Sequence, residues 1–220
     1  MKFKKIILIL ICLFSFNIIV FYKFIDFTPQ NQLFHTNLSK ISQPLIIDNN
    51  WNDLVNGGFC TGSGTYNDPY IIQNYIINGD GTASCIEIRN SNKFFKIFNC
   101  TLTNSQSFVY PFTHHAGILL INVTNGMILE VESSFNRGNG ISLYDCRNIT
   151  IRSSEFNNNQ KGIYLYNSQN NTVSSNSINH NKYEGIYLSY CNTTTLVKNY
   201  VFNDHYGIFL IYCNNFYINS

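Results

Sequence analysis

GISLYDCRN (140–148), GIYLYNSQN (162–170) and GIYLSYCNT (185–193) are three renderings of one phrase, flanked by GILLINVTN (117–125) and GIFLIYCNN (207–215). Their glycines, Gly117, Gly140, Gly162, Gly185 and Gly207, stand 23, 22, 23 and 22 residues apart. A period of about 22 residues, built from short apolar strands and Asn/Ser/Thr turns, is the signature of a stacked solenoid. The second position of each phrase is Ile118, Ile141, Ile163, Ile186 or Ile208; the fourth is Leu120, Leu143, Leu165, Leu188 or Leu210. Two apolar columns separated by one variable position are the inward face of a strand, whose side chains alternate with period 2. A second apolar slot recurs at Ile128, Ile151, Val173, Leu196 and Ile218, and a third is expected near Phe135, Phe156, Ile178 and Phe202. Three short strands per coil predict an all-β, single-stranded right-handed parallel β-helix. The ninth position holds Asn125, Asn148, Asn170, Thr193 and Asn215. Asn there tolerates left-handed backbone and can bond to its equivalents above and below, forming a ladder. A leucine-rich repeat would share the period, but its Asn belongs where this chain has Val123, Cys146, Ser168, Cys191 and Cys213, and no helical stretch follows.

Outward from the repeats the chain changes character. Lys2, Lys4 and Lys5 precede an apolar run from Ile6 to Tyr22, interrupted only by Ser15 and Asn17. Residues 1–24 therefore read as a signal-anchor or a cleaved signal peptide; either places the solenoid outside the cytoplasm, and the first makes the membrane a partner. A linker is expected over 25–45, and an N-terminal cap with a first partial coil, carrying the lone Trp51, over 46–84. The β-helix repeats occupy 85–220, with SQSFVYPFTHHA (105–116) leaving the stack as an inserted loop. Charged residues make up 12% of the chain at a net charge of +2, without a basic stripe, so nucleic acid is not an expected partner. Disorder is excluded by 45% hydrophobic and 15% aromatic residues placed periodically.

GIYLYNSQNNTVSSNSI (162–178) and its neighbours resemble the parallel β-helix repeats of the NosD-type and pectate-lyase-like superfamily. GSGTYNDPYII (62–72) is similar to the opening of many right-handed β-helix repeat proteins. The resemblance spans roughly residues 60–220 and implies the fold. For activity it implies a choice among lyase, hydrolase, sugar-binding protein and copper-related maturation factor. The acidic calcium cluster of uronan lyases, and the Gly-His-Gly and Arg-x-Lys elements of related hydrolases, do not appear in this sequence.

No catalytic residue, metal ligand or cofactor is assigned. Glu87, Glu130, Glu132, Asp145, Glu155, Glu184 and Asp204 fall in different slots and read as solvated charges. Glu130 and Glu132 are expected to share a strand face, with Arg152 one coil later. His114 and His115 are adjacent on an extended chain and point apart. Cys146, Cys191 and Cys213 share an inward slot with Val123 and Ser168, as stacked free thiols would; Cys60 with Cys85 or Cys100 is the better disulfide candidate. Sequons are read at Asn122, Asn148, Asn170 and Asn192, besides Asn37 and Asn99.

The positive functional signal is aromatic. Outward positions of the first strand carry Tyr144, Tyr164, Tyr166, Tyr187 and Phe209, and the next corner adds Tyr190 and Tyr212. A strip of rings with interleaved Asn and Asp suits a polysaccharide or cell-surface glycan. The reading is therefore a carbohydrate-binding or interaction module without catalysis. Its alternatives are a carbohydrate-active enzyme of the pectate-lyase-like class and a structural envelope protein. An uncapped last coil further suggests end-to-end self-association.

Overall fold

The computed structural model describes residues 8–11, 38–41, 43–106 and 115–219. The chain winds through three parallel sheets. Adjacent strands of each sheet come from successive coils.

The first sheet stacks Leu45–Asp48, Ile86–Ser91, the start of Ala116–Leu129, Asn139–Tyr144, Ile163–Tyr166, Glu184–Ser189 and Tyr206–Ile211. Leu8–Ile11 lies parallel to the last of these, Leu8 opposite Ile208. The second sheet runs from Tyr70–Gln73 through Phe95–Phe98, the end of Ala116–Leu129, Arg147–Arg152, Thr172–Ser174 and Thr195–Val197 to Tyr217–Asn219. The third runs from Ser39–Ile41 through Tyr75–Asn78, Thr101–Thr103, Glu132–Ser133, Glu155–Asn157 and Ser177–Asn179 to Tyr200–Phe202. Strand Ala116–Leu129 bends from the first sheet into the second, so it pairs with both. Part of the expected linker is thus already solenoid, because Ser39–Ile41 pairs with Tyr75–Ile77. The rest of the export segment, and residues 107–114 of the insertion, lie outside the described residues. Among the described residues no helix is long and apolar enough to cross a membrane.

Register puts the repeat phrases directly over one another: Ile118, Ile141, Ile163 and Ile186 align, as do Leu120, Leu143, Leu165 and Leu188, and all are fully buried. The second column, Ile97, Ile128, Ile151, Val173 and Leu196, is equally buried. Fully burying one such side chain contributes about 1.5–3 kcal/mol, so continuous apolar columns are what hold the coils together. A helix at Trp51–Asn56 covers the N-terminal end. Trp51 is stacked on Tyr70 at 4.7 Å and donates from Nε1 to Ser91 Oγ at 2.8 Å.

The third column departs from the sequence reading. It is Leu102, Ser133, Phe156, Ile178 and Val201, whereas Phe135 is 65% exposed and Phe202 faces outward. Phe135 shares its place with Asn158, His180 and Asn203, all at positive φ, so it marks a corner and not a strand. The coils opened by Gly117, Gly140, Gly162 and Gly185 each have four such left-handed corners, as at Asp145, Asn148, Ser153 and Asn158. The backbone there disfavours β-branched residues and, glycine apart, is least costly for Asn. That explains the Asn-rich composition between strands.

The six described cysteines are free and buried. No bridge joins Cys60 to Cys85 or Cys100: Cys85 donates to the Thr103 carbonyl and Cys100 to that of Phe98. Burial pushes the Cys60 thiol up to about 11, and Cys85 to about 12. A buried thiol with few thiolates is inert.

Candidate functional site

The outward columns of the first sheet bring the predicted rings together. Tyr164, Tyr187 and Phe209 form a ladder with centroids 5.3 Å apart at each step and planes within 16° and 12°. Tyr144 joins its lower end, 5.5 Å from Tyr164. A second ladder runs along the corner: Tyr166 lies 5.7 Å from Tyr190, which stacks on Tyr212 at 4.8 Å.

The two ladders differ in access. Tyr166, Tyr190 and Tyr212 are 39%, 47% and 43% exposed. Tyr144, Tyr164, Tyr187 and Phe209, expected as freely solvated rings, are half-buried because each leans on the ring of the next coil. Burial disfavours the phenolates of the three tyrosines. It pushes Tyr164 up to about 12, with neighbouring Tyr187 and Tyr166 adding, and moves Tyr144 upward still more strongly. Tyr187 is raised by burial first and then by Glu184. Tyr144, Tyr164 and Tyr187 therefore carry neutral phenol hydroxyls at physiological pH.

One ion pair crosses this face. Lys161 donates to Glu184 on the next coil and lies 4.7 Å above the Tyr187 ring. At the corner, Asn167 Nδ2 donates to Asp145 Oδ1. Toward the N-terminal coils the same outward columns hold Glu87, Leu119 and Ser142, which are 7%, 2% and 0% exposed. Glu87 is thus a buried ion-pair partner of Arg89 and not a solvated charge. The ends of the insertion are anchored beside them: Gln106 N donates to the Ala83 carbonyl, and His115 Nδ1 lies 3.5 Å from Ser84 Oγ. The exposed aromatic face therefore belongs to the C-terminal coils.

The carboxylates resolve differently from their expected places. Glu130 has a positive φ and precedes its strand, so it does not share a face with Glu132. Glu132 instead sits directly opposite Glu155 on the third sheet. Burial and then the Glu132 charge raise the Glu155 carboxyl above its ordinary value. Asp204 is no solvated charge either. Its Oδ1 accepts from the backbone and side-chain nitrogens of Asn181, and Oδ2 is buried with no partner among the described residues. Burial raises its carboxyl to about 7.

Asp204 ends an internal ladder that the sequence reading did not find. Asn136, Asn159 and Asn181 precede it at the same 23- and 22-residue spacing, a signal the sequence carried. Of the sequons, Asn122, Asn148 and Asn170 are exposed at left-handed corners, while Asn192 has a buried carbonyl oxygen. Among the described residues no three His, Cys, Asp or Glu side chains are grouped to hold a metal ion.

The family described as right handed beta helix region matches residues 84–220. No curated protein matches the sequence. Among solved structures, the chain is similar to a periplasmic alginate epimerase, AlgG, at 18% identity and a TM-score of 0.50. That match covers 67% of this chain and 39% of the epimerase, so this chain spans well under half of that protein. A glycosyl hydrolase from Parabacteroides merdae, itself named only as putative, is similar at 12% identity and a TM-score of 0.43, over 68% of this chain and 77% of that one. At such identities the likeness is one of fold.

Proposed function

The chain belongs to the right-handed β-helix family, and on that premise we propose that it is an extracytoplasmic scaffold that binds carbohydrate along the aromatic face of its first sheet. The observation that supports this reading is the pairing of a half-buried, rigid ring ladder with an exposed one. Rings held against each other lose little side-chain freedom when a ligand arrives, and amphipathic tyrosines offer both an apolar face and a hydroxyl. The Lys-flanked apolar segment at the N-terminus supports export.

The test uses substitutions the coil already tolerates. Tyr190 and Tyr212 occupy the corner column that holds Asn167 one coil below, with φ of 54° and 52° against 47°. Tyr190→Asn with Tyr212→Asn therefore keeps the backbone comfortable. It is expected to weaken glycan binding at least about tenfold, or about 1.4 kcal/mol, while leaving the thermal midpoint within about 2 °C. Unchanged affinity in a calorimetric titration would remove the corner ladder from the site.

A second reading, a carbohydrate-active enzyme, is favoured by the stacked Glu132 and Glu155. Two adjacent carboxyls, one holding its proton to higher pH, are the composition of an acid–base pair. Incubation with bound polysaccharide should then create new reducing ends, or unsaturated uronate products, and Glu155→Gln should stop it with binding retained. A parent chain that generates neither product defeats this reading.

A further inference from the structure

We infer that the aromatic face selects neutral pyranose chains and discriminates against uronates; this rests on the carbohydrate-binding reading above. The argument is one of charge periodicity. A uronate polymer carries a carboxylate on each sugar, and a solenoid meets a repeating ligand with repeating columns. Favourable binding would require cations recurring coil after coil along the strip, as charge complementarity requires of any interface.

Over the coils that carry the aromatic face the columns supply none, and Arg89, two coils below Tyr144 in the fifth column, is engaged by Glu87. The third position reads Ser142, Tyr164, Tyr187 and Phe209, and the fifth reads Tyr144, Tyr166, Ser189 and Ile211. The corner column reads Asp145, Asn167, Tyr190 and Tyr212. The cation that crosses the face, Lys161, is engaged by Glu184 and by the Tyr187 ring. Lys182 is exposed at the margin, over the ring of Tyr183. Asp145 adds a carboxylate at the corner, where a second anion would be repelled. What the face presents in register is phenol hydroxyls, ring edges and the Asn167 amide. These can exchange hydrogen bonds with sugar hydroxyls, while the exposed rings of the corner ladder accept the C–H face of a neutral pyranose.

The experiment is calorimetric titration of the full chain with two sets of defined hexasaccharides at 0.1 and 0.5 M salt. One set is neutral 1,4-linked glucose, xylose and mannose; the other is galacturonate and mannuronate. The expected result is at least about tenfold tighter binding of a neutral chain, with affinity unchanged by salt, since uncharged contacts are not screened. Equal binding, or tighter binding of a uronate that weakens with salt, overturns the inference and leaves the carbohydrate reading standing. Binding of neither set overturns both.

Discussion

Asp204→Asn is expected to stabilise the chain by about 2–4 kcal/mol at pH 8 and by almost nothing at pH 4. The reason lies in the internal ladder. Asn136 N donates to Asn159 Oδ1 at 3.0 Å, Asn159 N to Asn181 Oδ1 at 3.0 Å, and Asn181 N to Asp204 Oδ1 at 2.6 Å. Each Asn amide also donates to a carbonyl of the third-sheet column: Asn136 to Leu102, Asn159 to Ser133, Asn181 to Phe156. Continued by register, the carbonyl that faces Asp204 is that of Ile178. Asp204 Oδ2 occupies the amide's place, since it approaches Gly185 as the amides of Asn159 and Asn181 approach Gly140 and Gly162. An ionised Asp204 thus aims a buried oxygen at an acceptor, whereas the protonated acid donates as Asn does.

The sign follows from the raised carboxyl. Its folded-state value of about 7 exceeds the ordinary carboxyl value of 3.8, so the folded chain binds the proton more tightly than the unfolded chain. This group's contribution is fully favourable below about pH 4. It is lost as pH rises toward 7 and stays lost above. At about 1.4 kcal/mol per tenfold shift in protonation the ceiling is roughly 4 kcal/mol, reduced where water reaches the corner. Denaturant melts of parent and variant at pH 4, 6 and 8 check this. A stability difference that does not grow across that range would show the carboxylate is relieved by other means. The nearby charged and titratable groups do not supply that relief: Glu184 is engaged by Lys161, and His205 packs against Tyr206 at 4.4 Å.

Gly162→Ala is expected to cost more than about 3 kcal/mol, at the upper end of overpacking penalties. A Cβ on Gly162 would lie 2.4 Å from Ile178 Cγ2, 2.6 Å from the Gly185 carbonyl oxygen and 3.0 Å from Asn181 Nδ2. The side-chain contact could relax, but the carbonyl belongs to the next coil, and moving it opens the stack. Gly140 and Gly185 are crowded in the same way. By contrast, Gly58→Ala meets nothing within 4 Å, though its φ of 76° still strains a Cβ. A midpoint for Gly162→Ala no lower than that for Gly58→Ala would defeat the explanation.

These glycines show how much was legible. Their spacing gave the period, and the Ile and Leu beside them gave the inward face, because a repeat in register writes its columns directly into the linear chain. The reason for glycine was hidden: none of the five repeat glycines has positive φ, and at Gly117, Gly140, Gly162 and Gly185 the space is filled by side chains of the same coil's third strand and internal ladder together with the carbonyl of the next repeat glycine. The third column was also misplaced by two residues at Phe135 and by one at Phe202. There the corner intervenes, and a left-handed residue breaks the alternation that marks a strand.

The aromatic strip was legible as a set of residues and not as a surface. Alternation told which rings face outward; it could not tell that Tyr164, Tyr187 and Phe209 bury one another while Tyr190 and Tyr212 stay open. The sequence by itself determined the solenoid, its period and its two main apolar columns, since each depends only on spacing along one chain. The tertiary structure alone decided that the evenly spaced amides point inward as a ladder, that Asp204 and Glu87 are buried, and that Glu132 faces Glu155. Each depends on how side chains a full coil apart meet around the corners, and no local pattern encodes that angle.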